Sequence, residues 1–185
     1  GIDVLRRGGN AADAAVATAA ALGVTEPFSA GVGGGGYLVY YDARRDVVRT
    51  LDGRETAPGS FTSSSLTDGV GRPLDFASTV SSGLSVAVPG TPALWDKALR
   101  LWGTRSLADL MAPAERIARN GFMVDRTFHQ QVLDNQARFA RFPATARIYL
   151  PDGAPPPVGS VQRNPDLART YHELGRFGAR SLYDG

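Results

Sequence analysis

The sequence of 185 residues contains no cysteine, which excludes disulfide bonds and thiolate metal sites. Histidine is almost as scarce, because only His129 and His172 could supply an imidazole. The two lie far apart in the sequence, and neither has a carboxylate at the spacing typical of metal ligands. We therefore expect no metal site and interpret both as packing or helix-surface histidines.

Lysine is nearly absent as well, since Lys97 is the only lysine among 20 basic residues. The formal net charge is +2, and the arginines are scattered along the chain. Scattered charge gives no basic stripe that could follow a phosphate backbone. The sequence thus argues against a nucleic-acid partner.

Long hydrophobic runs are also missing, because Gly, Pro and charged residues interrupt every apolar stretch before it reaches the length of a membrane span. The composition, with 43% hydrophobic and 21% charged residues, is that of a globular chain with one core of ordinary domain size. No internal repeat divides it, and we interpret the Gly/Ser-rich stretch Gly59–Gly83 as a surface excursion. Since the sequence begins without Met and both ends look cut, we expect residues 1–185 to be a single partial domain, truncated at both ends.

Local patterns predict a mixed α+β chain. Asn10 is a good N-cap for a helix that Gly23 closes, and its Ala/Val-rich surface indicates burial against a closely packed sheet. The other predicted elements are strands at 37–41, 47–52 and 85–88, with a turn at 42–46 between the first two, and a loop at 151–160. Helices are predicted to begin at the Thr91, Ser106, Asp125 and Asn164 caps, the second kinked or split by Pro113, the third running through Phe139 and the last ending near Gly175.

An Arg-Glu pair, Arg54 and Glu55, follows the second strand of this predicted hairpin. The planar guanidinium fork of an arginine matches a carboxylate two-to-two, which suits recognition of an amino-acid-like substrate. An Arg beside a Glu at a strand end is also a common surface ion pair. At this point both interpretations stay open.

Two other motifs suggest chemistry that their context does not support. The glycines at 31–36 precede a strand and lack a following Gly-Lys-Ser/Thr, so we expect them to allow tight chain crossing and not to bind phosphate. The segment 83–87 approximates a nucleophile elbow but ends in Ala87 and leads into Pro89. We therefore predict that Ser85 is an ordinary strand residue.

Several segments in one order carry a family resemblance. They are 8–16 (Gly-Gly-Asn-Ala-Ala-Asp-Ala-Ala-Val), 23–27, 31–37, 51–58, 88–92, 114–124, 164–170 and 182–185. Together they resemble the large subunit of γ-glutamyltranspeptidases over essentially the whole chain. The resemblance places Arg54 where the family's α-carboxylate-binding arginine is expected, and implies that Glu55 orients Arg54 or lines the pocket.

The resemblance implies an N-terminal-nucleophile hydrolase fold, a four-layer αββα arrangement to which this chain contributes a helix-rich portion of the large subunit. It also implies γ-glutamyl transfer from glutathione or a related γ-glutamyl amide to an amino acid, a peptide or water, with no cofactor. Such precursors cut themselves and expose a nucleophilic threonine on a small subunit. No matching Thr-Thr-His segment occurs here, so the implied partner is that small subunit, and this chain should be inert alone. A periplasmic or secreted location is suggested by the resemblance only.

Three alternatives remain at the level of the sequence. Relatives resembling cephalosporin acylases or poly-γ-glutamate depolymerases share this body and accept other acyl groups. A non-catalytic homologue would keep the fold and lack the threonine. Finally, the piece could have no function independent of its parent protein.

Overall fold

Helices dominate the computed structural model, which describes residues 1–184. Gly185, the last residue of the segment 182–185 quoted above, lies outside the described residues. The helices are α1 (Ile2–Arg6), α2 (Ala11–Thr25), α3 (Pro27–Ala30), α4 (Phe76–Thr79), α5 (Thr91–Trp102), α6 (Leu107–Asn120), α7 (Arg126–Asp134), α8 (Gln136–Phe139), α9 (Pro143–Tyr149), α10 (Pro165–Phe177) and α11 (Arg180–Tyr183). The strands are β1 (Gly36–Asp42), β2 (Val47–Gly53), β3 (Phe122–Met123) and β4 (Val161–Gln162), and short 3-10 turns occupy Gly83–Ser85 and Pro151–Gly153.

Helix α2 begins at the predicted cap. The Asn10 side chain accepts hydrogen bonds from the backbone N–H groups of Ala12 and Asp13, and the Asp13 carboxylate accepts one from the Asn10 N–H at 2.8 Å. The helix continues to Thr25, so the prediction that Gly23 closes it is wrong. Gly23 serves close packing instead, because a Cβ there would collide with the Tyr171 hydroxyl of α10.

Asp13 also ties α2 to the loop before α6. Its carboxylate is buried and accepts hydrogen bonds from Thr104 Oγ1 (2.6 Å), the Thr104 N–H (2.9 Å) and the Arg105 N–H (3.1 Å). Burial acts to raise the pKa of Asp13, but these bonds and the one from Asn10 favour the charged carboxylate and hold the pKa below its usual value. The sequence identified Asp13 only as part of the cap.

The main core lies between helices α2, α5, α6 and α10. Its buried members are Val16, Ala17, Ala20, Val24, Trp95, Leu110, Met111, Ala114, Ala118, Ala168, Tyr171 and Leu174. The burial of α2 was predicted correctly, but the expected sheet against it is wrong, since helices form this packing. Small alanine side chains allow helices to approach each other just as closely as they would allow a sheet.

Helix α6 is continuous through Pro113, so the predicted split does not occur. A proline in a helix interior removes one backbone hydrogen bond, but buried Met111 and Ala114 hold the helix on both sides of it. The helix ends as predicted at Asn120, followed by Gly121 with a φ of 98°. Packing thus outweighs the local penalty of the proline.

Strands β1 and β2 form the predicted antiparallel hairpin, with Tyr37 opposite Asp52 and Asp42 opposite Val47. One face packs on α5, where Tyr40 stacks on Trp102 with ring centroids 4.5 Å apart. The other face is solvent-exposed. The chain leaves β2 at Gly53, so Arg54 lies at the hairpin exit as predicted.

Three other predicted elements need correction. The strand at 85–88 is wrong, because Gly83–Ser85 is a 3-10 turn and only Val88 pairs, in an isolated bridge with Thr56. The helix capped by Asp125 is interrupted at Asn135 and becomes α7 and α8. Thr91 is the first residue of α5 and not its cap, which is Gly90.

The last long helix, α10, agrees better with the prediction from the sequence. Asn164 caps α10 by accepting from the Leu167 N–H at 3.0 Å. The helix runs two residues beyond Gly175 to Phe177. Gly175 lies against Ala108 of α6, where its missing side chain permits close contact.

The stretch Gly59–Gly83 is a surface excursion, as predicted, with α4 as its short helix. None of the helices in residues 1–184 combines the length and apolar character that a membrane crossing requires.

Candidate functional site

Three segments that are distant in sequence converge at the end of the hairpin: 33–36, 53–56 and 88–91. The Gly34 carbonyl accepts hydrogen bonds from the N–H groups of Gly90 (3.0 Å) and Thr91 (3.1 Å). Thr56 and Val88 exchange backbone hydrogen bonds of 3.2 and 2.8 Å. Backbone contacts thus bring together three of the segments that carry the family resemblance, a meeting that nothing in their local sequence predicts.

The glycines at this junction are needed for close approach. A Cβ on Gly35 would lie 2.6 Å from the Gly53 carbonyl oxygen, 2.7 Å from Glu55 Oε2 and 2.8 Å from the Glu55 nitrogen. A Cβ on Gly90 would also collide with the Gly53 carbonyl. The prediction that the glycine run permits tight chain crossing is confirmed, and the crossing strand end is the one that leads to Arg54.

Arg54 is held at two points and otherwise open to solvent. Its backbone N–H donates to Asp52 Oδ1 at 2.9 Å, and its Nε donates to Glu55 Oε2 at 3.2 Å. The side chain is 62% exposed. Within residues 1–184, no hydrogen bond or ion pair involves its two terminal guanidinium nitrogens. Those nitrogens are free to bind an external carboxylate.

Glu55 is less exposed than Arg54 and lines the adjoining cleft. The pKa of its carboxyl lies below the usual value, chiefly because its own backbone N–H stabilises the charged form. Burial, the second-largest influence, acts to raise the pKa, while Arg54 and the Gly35 N–H act to lower it. Glu55 is therefore ionised at neutral pH and can keep its hydrogen bond to Arg54.

The cleft beside Glu55 has a volume of about 750 Å³. It opens between α2 and β1, with the glycine segment, Phe28, Leu94 and Trp95 among its walls. Within the described residues its lining contains one carboxylate, Glu55, and no histidine or lysine. Arg54 is not part of the lining and connects to it through its ion pair with Glu55. An arginine paired with a carboxylate in this way can bind the charged groups of a small ligand.

The other residues singled out from the sequence do not join this site. Ser85 Oγ donates to the carbonyls of Ser82 (2.9 Å) and Val80 (3.2 Å). His129 Nδ1 lies 2.8 Å from the Pro156 carbonyl oxygen, in the packing role expected for it. His172 is on the surface of α10, with Nδ1 3.4 Å from a Glu115 carboxylate oxygen. In the part of the chain that the structure describes, no three metal-ligating side chains cluster.

Comparisons with known proteins assign this chain to a family. A sequence model of the Gamma-glutamyltranspeptidase family matches residues 1–185, and the chain belongs to that family, in its large-subunit region. It is 38% identical over 185 residues to the glutathione hydrolase proenzyme of Bacillus subtilis (strain 168), covering 100% of this chain and 31% of that protein. The resemblance noted from the sequence is therefore confirmed.

Solved structures agree. The Helicobacter pylori gamma-glutamyltranspeptidase superposes with a TM-score of 0.94 at 31% identity, covering 99% of this chain and 52% of that one. The cephalosporin acylase from Bacillus halodurans superposes with a TM-score of 0.81 at 29% identity, covering 99% of this chain and 34% of that one. The helix-rich α+β fold is thus that of the family, and this chain spans 31% of the length of its Bacillus subtilis relative.

Proposed function

We propose that this chain is the large-subunit part of a γ-glutamyltransferase or glutathione hydrolase. The complete enzyme would cleave glutathione and other γ-glutamyl amides and transfer the γ-glutamyl group to amino acids, peptides or water. The observation that carries the proposal is the guanidinium of Arg54, free at both terminal nitrogens and held by Glu55 at the edge of a large cleft. A glutathione hydrolase proenzyme among the relatives supports it.

In this proposal Arg54 binds the α-carboxylate of the γ-glutamyl group. Glu55 accepts the Nε hydrogen bond, which leaves the two terminal nitrogens for a two-to-two pairing with the substrate carboxylate. Glu55 also restricts the rotation of a long side chain before the substrate arrives, which reduces the entropy lost on binding. Arg54 is thus the substrate clamp, and Glu55 is its positioning residue.

The bond-making chemistry is proposed to lie in the rest of the precursor, because the Thr-Thr-His segment expected around the nucleophile does not occur in this sequence. We propose that the precursor cleaves itself and that a small subunit from the same precursor supplies an N-terminal threonine. Its hydroxyl oxygen attacks the γ-carbonyl carbon while its own amine takes the hydroxyl proton. The amine product leaves with a proton, and an acceptor amine or water then attacks the γ-glutamyl ester. No cofactor is needed for either step.

The exposed face of the hairpin supports a four-layer arrangement in the complete protein. Tyr37 (65% exposed), Val39 (68%) and Tyr41 (56%) form an apolar row on β1, with Val48 of β2 beside them. A sheet with one uncovered apolar face is suited to pack against a second sheet. We propose that the remaining part of the precursor supplies that sheet, which gives the αββα layers of an N-terminal-nucleophile hydrolase.

Replacing Arg54 by lysine in the complete protein tests the clamp. Loss of the two-to-two pairing should raise the KM for a γ-glutamyl anilide about tenfold or more, since a hydrogen bond to a charged group contributes about 1.5–3 kcal/mol. Self-cleavage should persist, because the substitution removes a substrate contact only. Steady-state kinetics and a denaturing gel measure the two properties.

A donor without the α-carboxylate, 4-aminobutyryl anilide, makes the test specific. The wild-type enzyme should strongly prefer the γ-glutamyl donor, and Arg54→Ala should abolish most of that preference. The matched control is Arg49→Lys, an exposed arginine on β2, the strand that leads to Arg54, and this substitution should leave KM unchanged. An unchanged KM in Arg54→Lys, or an unchanged preference in Arg54→Ala, would refute the assignment.

The second candidate is an acylase of the same family with another acyl donor. The structural superposition on the cephalosporin acylase supports this candidate, because the fold of this chain is shared by both classes of enzyme. The two candidates differ in their need for an α-carboxylate on the donor. Turnover of the 4-aminobutyryl anilide as fast as the γ-glutamyl anilide, with self-cleavage intact, would select the acylase.

A further inference from the structure

A second groove, of about 420 Å³, lies between α1, the loop before α6 and the first turns of α6. Three arginines line it, Arg7, Arg105 and Arg116, together with a single acidic residue, Asp109. It shares no lining residue with the cleft beside Glu55. The groove is therefore a separate, positively charged feature of the surface.

The arginines of this groove are not neutralised by the described chain. Arg7 and Arg116 are exposed, and within residues 1–184 neither guanidinium has a hydrogen bond or ion pair. Arg105 Nη2 donates to the Arg7 carbonyl oxygen, which keeps its charge beside the groove without compensating it. Asp109 accepts a hydrogen bond from Ser106 Oγ at 2.7 Å. The lining carries a net charge of +2.

The groove is also rigidly built. The backbone of Arg105 is fixed by its bond to buried Asp13, 3.1 Å from Oδ1. Leu110, which is 1% exposed, anchors α6 in the main core beneath the groove. Val4 and Pro113 add apolar surface to the lining. The backbone frame of the groove is thus preformed, while the exposed side chains of Arg7 and Arg116 become ordered when a ligand binds.

Like charges gathered in one groove repel each other, and a bound anion removes that repulsion. Guanidinium groups pair two-to-two with both phosphate and carboxylate groups. We propose that the groove of Arg7, Arg105 and Arg116 binds a small polyanion that carries at least two phosphate or carboxylate groups. Val4 and Pro113 offer apolar contacts to the carbon atoms of a polyanion that is organic.

Calorimetric titration of the complete protein with pyrophosphate, and separately with citrate, at constant ionic strength tests this inference. We expect saturable binding of at least one of them with one ligand per chain. Tighter binding of pyrophosphate assigns the groove to phosphate groups, and tighter binding of citrate assigns it to carboxylates. Heats no larger than those of sodium chloride at the same ionic strength would overturn the proposal.

Variants place the binding in the groove. The double variant Arg7→Gln, Arg116→Gln should lower the affinity for the anion at least about tenfold, since two charged hydrogen-bond contacts are lost. The double variant Arg44→Gln, Arg126→Gln removes two exposed arginines elsewhere and should bind as wild type does. Arg116→Lys alone keeps the charge and should give a smaller loss. Undiminished affinity in the Arg7/Arg116 variant, with an unchanged melting temperature, would show that the anion binds elsewhere.

Discussion

Buried Asp13 and exposed Arg54 are both charged at neutral pH, and their surroundings give them opposite roles. Asp13 satisfies its carboxylate entirely within the chain, with hydrogen bonds from three backbone N–H groups and one hydroxyl. Arg54 has one side-chain partner, Glu55, and keeps two nitrogens open. A fully satisfied buried charge stabilises structure, whereas an exposed and half-satisfied charge is available for binding.

We predict that Asp13→Asn weakens the junction between α2 and the loop before α6. Loss of the charge-assisted hydrogen bonds should lower the local opening free energy by roughly 1.5–3 kcal/mol. Hydrogen exchange at the amides of Thr104 and Arg105 in the complete protein measures this change. The control is Asp3→Asn. Asp3 is exposed, and within residues 1–184 its carboxylate pairs only with Arg6 at 3.4 Å, so the loss of its charge should have little effect.

The effect of Asp13→Asn should depend on pH in a defined direction. Since folding lowers the pKa of Asp13, the stabilisation is fully present above the usual aspartate pKa of about 4 and is lost as the pH falls through the lower folded value. The difference from wild type should therefore be constant between about pH 5 and 7 and should shrink in more acidic solution. A difference that grows on acidification would contradict the assigned hydrogen bonds.

At the scale of elements, the glycine segment 33–36 packs against the strand end that leads to Arg54. Gly35 contacts Gly53 and Glu55, while a Cβ on Gly33 or Gly36 would have no neighbour within 4 Å. Adjacent glycines thus differ in what a side chain would meet. Close contact with the Glu55 carboxylate makes Gly35 part of the support for Arg54.

We predict that Gly35→Ala in the complete protein displaces Glu55 and raises the KM for a γ-glutamyl anilide. The new Cβ would lie 2.6 Å from a backbone carbonyl, so the chain must shift, and an overpacked contact of this kind costs about 1–3 kcal/mol. Gly36→Ala, with open space around it, is the matched control and should change KM little. Equal kinetics in the two variants would mean that the tight crossing does not position the clamp.

Elements with strong local signals were predictable from the sequence. The capping residues of α2 and α10 and the polar turn between β1 and β2 located those elements within a few residues. The end of α2 was wrongly predicted at Gly23. In a sequence, a glycine that permits close packing, here against Tyr171, looks the same as a glycine that ends a helix. The prediction of a strand at 85–88 was wrong because, of these four residues, only Val88 pairs, in an isolated bridge with Thr56.

The site was predictable only in part. Arg54 and Glu55 are neighbours in sequence, so their pairing could be anticipated from the residues alone. The meeting of the segments 33–36 and 88–91 depends on backbone hydrogen bonds between distant parts of the chain, which no local pattern encodes. Family resemblance supplied the role proposed for Arg54, and the free guanidinium nitrogens supply its geometric support.

At the scale of the whole molecule, the described chain supplies a helical core, a cleft beside Glu55 and a hairpin with one uncovered apolar face. It spans 31% of the Bacillus subtilis relative and 52% of the solved Helicobacter pylori chain. In the described chain the cleft lining contains one carboxylate, Glu55, which pairs with Arg54 outside the lining, and no histidine or lysine. We propose a division of labour in which this chain binds the substrate and the rest of the precursor supplies the nucleophile.

The most direct test of that division is expression of the complete protein, followed by a denaturing gel and an assay of anilide release from a γ-glutamyl anilide. We predict cleavage into two subunits together with release of the anilide and, when an acceptor dipeptide is added, formation of a γ-glutamyl peptide. A protein that stays in one piece and releases no anilide would contradict the account.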